Sequence, residues 1–164
     1  MIRIGKKWLA GLLLALSGCG AFAAEQGTRV SITATIVAPP PCEINNGRTI
    51  DVDFGQVGIK RIDGSRYMQR LSYSVRCESL DPARQLQMKI VGTGAAFDAN
   101  VLHTSVNGLG IKLLADGKPF NLNSVLNIDY TMLPQLDAVP VKSPAATLTE
   151  GKFTSGATMQ IDYF

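Results

Sequence analysis

One histidine and three cysteines are all that the 164 residues offer of the side chains that most often serve as metal ligands or as nucleophile and base near neutral pH. No C-x-x-C spacing occurs, which removes the common dithiol redox motif and paired zinc knuckles. A Ser/His/Asp arrangement would have to rest on His103 alone. That residue lies in "NVLHTSVNG" without His, Cys or carboxylate companions at ligand spacing, so it is expected in an exposed polar loop, and no metal site is expected. "VGTGAAF" carries only the first two glycines of a dinucleotide fingerprint, with Phe97 where the third belongs and no helical pattern after it, and reads as a turn between strands. Asp51 and Asp53 share a strand face and read as its solvated side rather than as an acid/base pair. No catalytic residue, cofactor or small-molecule substrate is expected.

Basic clusters are also missing once the N-terminus is set aside. Arg3, Lys6 and Lys7 precede the apolar run "WLAGLLLALSG", and Ala21-Phe22-Ala23 supplies an A-x-A cleavage site before Ala24, so residues 1–23 read as an export signal. The run is too short, and too closely flanked by small residues, for a membrane span. "LSGCG" also fits a lipoprotein box that would lipidate Cys19. Removing three cations from sixteen leaves thirteen against thirteen acids, so the exported chain is neutral and lacks the footprint that nucleic acid or an anionic membrane would require. Two cysteines remain, Cys42 and Cys77. In an oxidising compartment such a pair is most economically a disulfide, two free buried thiols being the alternative.

What is present is alternation. With 46% hydrophobic and 18% charged residues the chain has the composition of one globular domain. "RVSITATIV" (29–37) puts Val30, Ile32, Ala34 and Ile36 on one face and is followed by Pro39-Pro40-Pro41, a stiff extended spacer that can join neither ladder nor helix. After Cys42, "TIDVDFGQV", "YMQRLSYSVRC", "LQMKIVG", "LGIKLLADGKPF" and "LNIDYTML" read as strands, separated by turns such as Asn46-Gly47, Asp63-Gly64 and Asp116-Gly117. Leu71, Tyr73, Val75 and Cys77 share one face, pointing Cys77 inward. The chain closes with Ala157, Met159, Ile161 and Tyr163 alternating with Thr158, Gln160 and Asp162. Turn signals every ten to fifteen residues and no long 3.6-residue period predict an all-β sandwich of short antiparallel strands with scarce helix.

The two ends belong together physically. A terminal strand with an apolar face and no successor leaves an open edge beside exposed apolar surface, and strand addition from another chain satisfies both. If the sandwich is immunoglobulin-like and this segment is its sixth strand, its apolar face borders a cleft with no seventh strand of the chain's own, and the fold is an incomplete one of six strands whose seventh is supplied in trans. The proline-tethered N-terminal segment has the length and alternation of such an insert.

These features together resemble the subunits of chaperone-usher pili, including minor and tip-adaptor types: an alternating extension ahead of "PPPCEINNG", the "VDFGQV" segment, a cysteine ending the next strand, a glycine fourteenth from the end (Gly151) and a tyrosine next to last (Tyr163). The resemblance implies 24–41 as donor-strand extension and linker and 42–164 as the pilin domain. It implies Cys42–Cys77 as the structural disulfide, and Val30, Ile32, Ala34 and Ile36 as the donated face. Gly151, Ala157, Met159, Ile161 and Tyr163 fall to the strand that pairs with chaperone or donor. Partners implied are a periplasmic chaperone, an outer-membrane usher and neighbouring subunits, and the destination is the cell-surface fimbrium. Ala34 stands where the family usually has glycine. With Cys19 inside the cleaved signal, lipidation recedes; the competing reading is a lipid-anchored or soluble periplasmic β-sandwich binding module.

Overall fold

The computed structural model describes residues 42–163. The expected export signal (1–23) with Cys19, the alternating segment 29–37, the prolines and Phe164 lie outside the described residues. The elements in chain order are strands β1 (Cys42–Ile44), β2 (Gln69–Arg70), β3 (Val75–Cys77), β4 (Leu86–Gly92), β5 (Gly94–Ala95), β6 (Asp98–His103), β7 (Leu109–Ala115), β8 (Lys118–Pro119), β9 (Val125–Ile128), β10 (Leu136–Lys142) and β11 (Ala157–Tyr163). Two three-residue 3-10 turns, Asn45–Gly47 and Ile59–Arg61, are the only helical pieces among the described residues.

The strands form three antiparallel sheets. The largest runs β2-β10-β7-β6-β5 with β8 attached to β7, the second β11-β4-β9, and the third pairs β1 with β3. Alternation decides which side chains meet. Leu86, Met88 and Ile90 of β4 point the same way and are buried, as do Ile111, Leu113 and Ala115 of β7. With Leu102, Phe120, Leu122, Ile128, Leu136 and Ala138 they form one core drawn from both large sheets.

Turn chemistry fixes the hairpins. Asp116 (φ 49°) and Gly117 (φ 74°) both adopt the left-handed backbone that a two-residue hairpin between Ala115 and Lys118 needs. At Asp63-Gly64 the carboxylate accepts the backbone N–H groups of Arg66 (2.8 Å) and Ser65 (3.0 Å), which hold its pKa down at about 2.

Several strands differ from the pattern-based expectation, each for a local reason. The run 67–77 keeps Leu71, Tyr73, Val75 and Cys77 half-buried and Ser72, Ser74 and Arg76 exposed, yet it serves two sheets: β2 pairs with β10 and β3 with β1. "LNIDYTML" is not a single strand. It stops at Ile128 because the Asp129 carboxylate takes the N–H (2.8 Å) and hydroxyl (2.6 Å) of Thr131, turning the chain; the hydroxyl bond foremost also lowers the pKa of Asp129. His103 is not in a loop. It ends β6 opposite Gly110, although its side chain is exposed. "TIDVDFGQV" keeps Ile50, Val52, Phe54 and Val57 half-buried between exposed neighbours but forms no ladder among the described residues.

A second strand that the pattern does not announce, after β6, is β10. Residues 136–140 are buried on both faces, which erases alternation, and Pro140 argues against a central strand. The proline is tolerated because β2 bonds only to Asp137 and Ala138, so the outer side of β10 carries no ladder at Pro140, while pairing to β7 continues through Pro140 and Ile111.

Cys42 and Cys77 face each other directly across β1 and β3 and are joined by a disulfide, at a sequence separation of 35. Closing that loop stabilises the fold by about 4 kcal/mol in the chain-entropy model. The Tyr130 hydroxyl accepts the Cys77 N–H at 3.3 Å beside it.

Two predictions follow from this packing. Replacing both Cys42 and Cys77 by Ser should lower the free energy of urea unfolding by about 2–5 kcal/mol, and reductant should do the same to the unaltered chain; an unchanged midpoint would remove the staple from the account. The half-buried Tyr73 hydroxyl donates to the Pro134 carbonyl at 2.6 Å, and burial, with the Asp116 carboxylate adding to it, raises the phenol pKa to about 12. Because the folded value lies above the ordinary value of about 10, this group's contribution is complete below pH 10 and is lost as pH rises toward 12. Stability measured across that window should fall in the unaltered chain and fall less in Tyr73→Phe.

Candidate functional site

β11 is bonded to β4 along its whole length on one side. Its register against β4 runs from Ala157 opposite Gly92 to Tyr163 opposite Leu86, which places Met159, Ile161 and Tyr163 beside Ile90, Met88 and Leu86 on the inward face. All three are half-buried and pack on the core, whereas Ala157 at the strand's start is exposed. β4 continues to β9, so β11 is the edge of its sheet and its other side carries no ladder among the described residues.

Beside that edge lies a cleft of about 1250 Å³. Its floor is the core itself: Ile90 from β4, Leu102 from β6, Ile111 and Leu113 from β7, and Ala138 from β10 all line it and are all buried. One wall is the stretch 148–159 that leads into and begins β11; the other is the extended stretch 47–57. The floor is uncharged, while Asp51, Asp53, Glu150 and Lys152 stand exposed on the walls. The Asp53 carboxylate is occupied locally by the Gly55 N–H at 2.8 Å. A cleft that reaches apolar core between an open strand edge and an alternating extended segment has the shape and chemistry to take a further β-strand.

Contacts that the sequence does not reveal hold β11 at both ends. The Tyr163 hydroxyl accepts the Asp81 N–H at 3.1 Å, and the Arg84 guanidinium sits 4.8 Å from the centre of the Tyr163 ring. At the other end the Ser105 N–H donates to the Thr154 carbonyl at 2.8 Å, the Thr154 N–H to the Ser105 hydroxyl at 3.0 Å, and the Ser155 hydroxyl to the His103 carbonyl. Partners 49 to 82 positions apart leave no local pattern to read.

The site residues expected from sequence are thus distributed as follows. Met159, Ile161 and Tyr163 share the inward face of β11; Gly151 lines the cleft before it and has φ 150°, a backbone region that L-residues rarely adopt. Cys42 and Cys77 lie in the third sheet. Val30, Ile32, Ala34 and Ile36 lie outside the described residues. Among the described residues no group of three or more His, Cys, Asp or Glu is close enough to hold a metal ion.

The Tyr163 anchor can be measured. Tyr163→Phe keeps the ring under Arg84 but leaves the Asp81 N–H without its acceptor, and should cost about 1 kcal/mol in urea unfolding; Tyr163→Ala loses ring packing as well and should cost more than twice that. Equal stability of Tyr163→Phe and the unaltered chain would show that the hydroxyl contributes nothing.

Comparison with known proteins agrees with this geometry. Residues 30–164 match the family model described as fimbrial protein. The chain is 35% identical over 156 residues to the fimbrial-like protein YfcQ of Escherichia coli K12, covering 92% of this chain and 95% of that protein. It is 31% identical over 138 residues to the fimbrial adapter PapF of Escherichia coli, covering 76% and 81% respectively. The solved structure of the P pilus adaptor subunit PapF superposes with a TM-score of 0.56 at 29% identity, over 77% of this chain and 98% of that one. The P pilus rod subunit PapA, at 22% identity, shares the fold with a TM-score of 0.59 over 83% of this chain and all of that one. With its immunoglobulin-like β-sandwich and a match that spans residues 30–164, the chain belongs to the fimbrial protein family.

Proposed function

We propose that this chain is a minor, adaptor-type structural subunit of a chaperone-usher pilus, assembled by accepting one strand in its cleft and donating another from its N-terminus. The observation that carries the proposal is the cleft: an apolar floor drawn from two sheets, bordered by a strand whose second edge carries no ladder among the described residues. An inserted strand bonds to the free edge of β11 and covers Ile90, Leu102 and Ile111, which joins hydrogen bonding and apolar burial in one event.

The donor is the segment 29–37. The family match begins at residue 30, inside that segment, which supports its belonging to the working part of the chain. Burying Val30, Ile32 and Ile36 of one subunit in the cleft of the next, with a smaller part from Ala34, contributes roughly 5–9 kcal/mol before entropic costs. Ala34 brings a methyl group where the family usually has glycine, which slows insertion if the facing pocket is tight. During transit a periplasmic chaperone lends the strand, and at the outer-membrane usher the incoming subunit's extension replaces it. The residues 24–41 then act as extension and linker, 42–164 as the pilin body, and the subunit ends in the fimbrium at the cell surface. The adaptor assignment rests on the likeness to PapF, a fimbrial adapter. The role is structural, without a catalytic residue or cofactor.

The two halves of the proposal separate by deletion. Removing residues 29–37 should leave capture by the chaperone intact in a periplasmic pull-down while abolishing this subunit's incorporation as a donor, read by immunoblotting of sheared pili. Normal incorporation of the deleted subunit would overturn donation by this segment.

A further inference from the structure

The two walls of the cleft are held very differently. β11 is fixed by a seven-residue ladder to β4 and by its anchors at Tyr163 and Thr154. From Ile50 to Val57 the opposite wall makes no backbone–backbone hydrogen bond among the described residues. It is tied at its two ends, where the Asn45 side-chain amide donates to the Arg48 and Thr49 carbonyls at 3.1 Å each and the Gly58 N–H donates to the Tyr67 hydroxyl at 3.1 Å. Tyr67 adopts φ 61°, strained for so bulky a residue. Among the described residues the wall between these ties is held by side-chain packing, the condition for low local stability.

Phe54, in the middle of that loosely held wall, stacks on Phe153, which precedes β11 on the other wall; the ring centroids are 6.0 Å apart with an interplanar angle of 35°. Both residues line the cleft and both pack against the core. Two side chains from opposite walls therefore touch across the space a strand would enter.

We propose that the Phe54–Phe153 contact is a gate on strand entry: the compliant wall 50–57 must swing away from Phe153 before an incoming strand can run the length of β11, and the aromatic contact sets part of that barrier. This inference rests on the strand-accepting role proposed above and concerns its rate. Once the rings part, the backbone groups of 50–57 that have no ladder acquire a neighbour to bond with, so opening and capture are coupled. The gate slows entry without altering the ladder on the β11 side.

The test is the association rate of a labelled peptide carrying residues 28–38 of this chain, and of the same peptide with Gly in place of Ala34, with the exported full-length chain, followed by fluorescence anisotropy. Phe54→Leu and Phe153→Leu keep apolar bulk, and so the fold, while removing the ring pair; each should accelerate association about two- to tenfold, as loss of one aromatic pair permits. The double variant should be no faster than the quicker single variant, because each change alone removes the same contact. Rates equal to or slower than those of the unaltered chain would overturn the gate and make the rings ordinary floor contacts. Binding of neither peptide by any variant would overturn the gate as stated for this strand, whereas the accepting role itself falls only if the chain also fails to take the extension of a neighbouring subunit.

Discussion

The ladder that binds β11 to β4 on one side, with no ladder on the other among the described residues, is the constraint on which the rest of the site depends. A β-strand satisfies its backbone on two sides, and β11 is bonded to β4 on one of them along all seven residues. Its apolar face cannot be turned to water by slipping one position, since that would expose Met159, Ile161 and Tyr163 together and bury Thr158, Gln160 and Asp162. The strand is therefore fixed in register while its second edge borders a cleft that reaches the core. Edge strands are normally blunted by bulges or covered by other elements; here the edge is long, regular and flanked by apolar floor.

Everything around that edge divides into parts that hold and parts that yield. The disulfide clamps β1 to β3, and Tyr163 and Thr154 tie the ends of β11 to the segments at 81–84 and 103–105. Among the described residues the wall 50–57 is kept in place by two end ties and by the packing of Val52 and Phe54 on the core. A rigid template beside a compliant wall suits a site whose occupant is itself an extended chain, because the template sets direction and register while the wall adapts to the side chains it covers.

Much of the fold was legible because alternation is a local property. β4, β7 and β11 are each covered on one side and bear their period openly, and Asp116-Gly117 marks its hairpin by the backbone conformation those residues favour. β10 was illegible for the opposite reason: with both faces buried and Pro140 inside it, no local pattern distinguishes it from a loop. β6 was hidden by the polar residues around His103. The apolar face at 50–57 was readable, but whether an extended segment finds a ladder depends on what lies beside it.

The sequence by itself determined that the chain is a β protein, that Cys42 and Cys77 are its cysteine pair beyond residue 23, and that its last segment has one apolar face, since each of these follows from residue type and spacing over a few positions. Only the tertiary structure decided that β11 bonds to β4 and in which register, that Ile90, Leu102 and Ile111 floor the space beside it, and that Phe54 meets Phe153 across it. Those are meetings between residues tens of positions apart, set by how sheets pack, and such distances leave no trace in a local period.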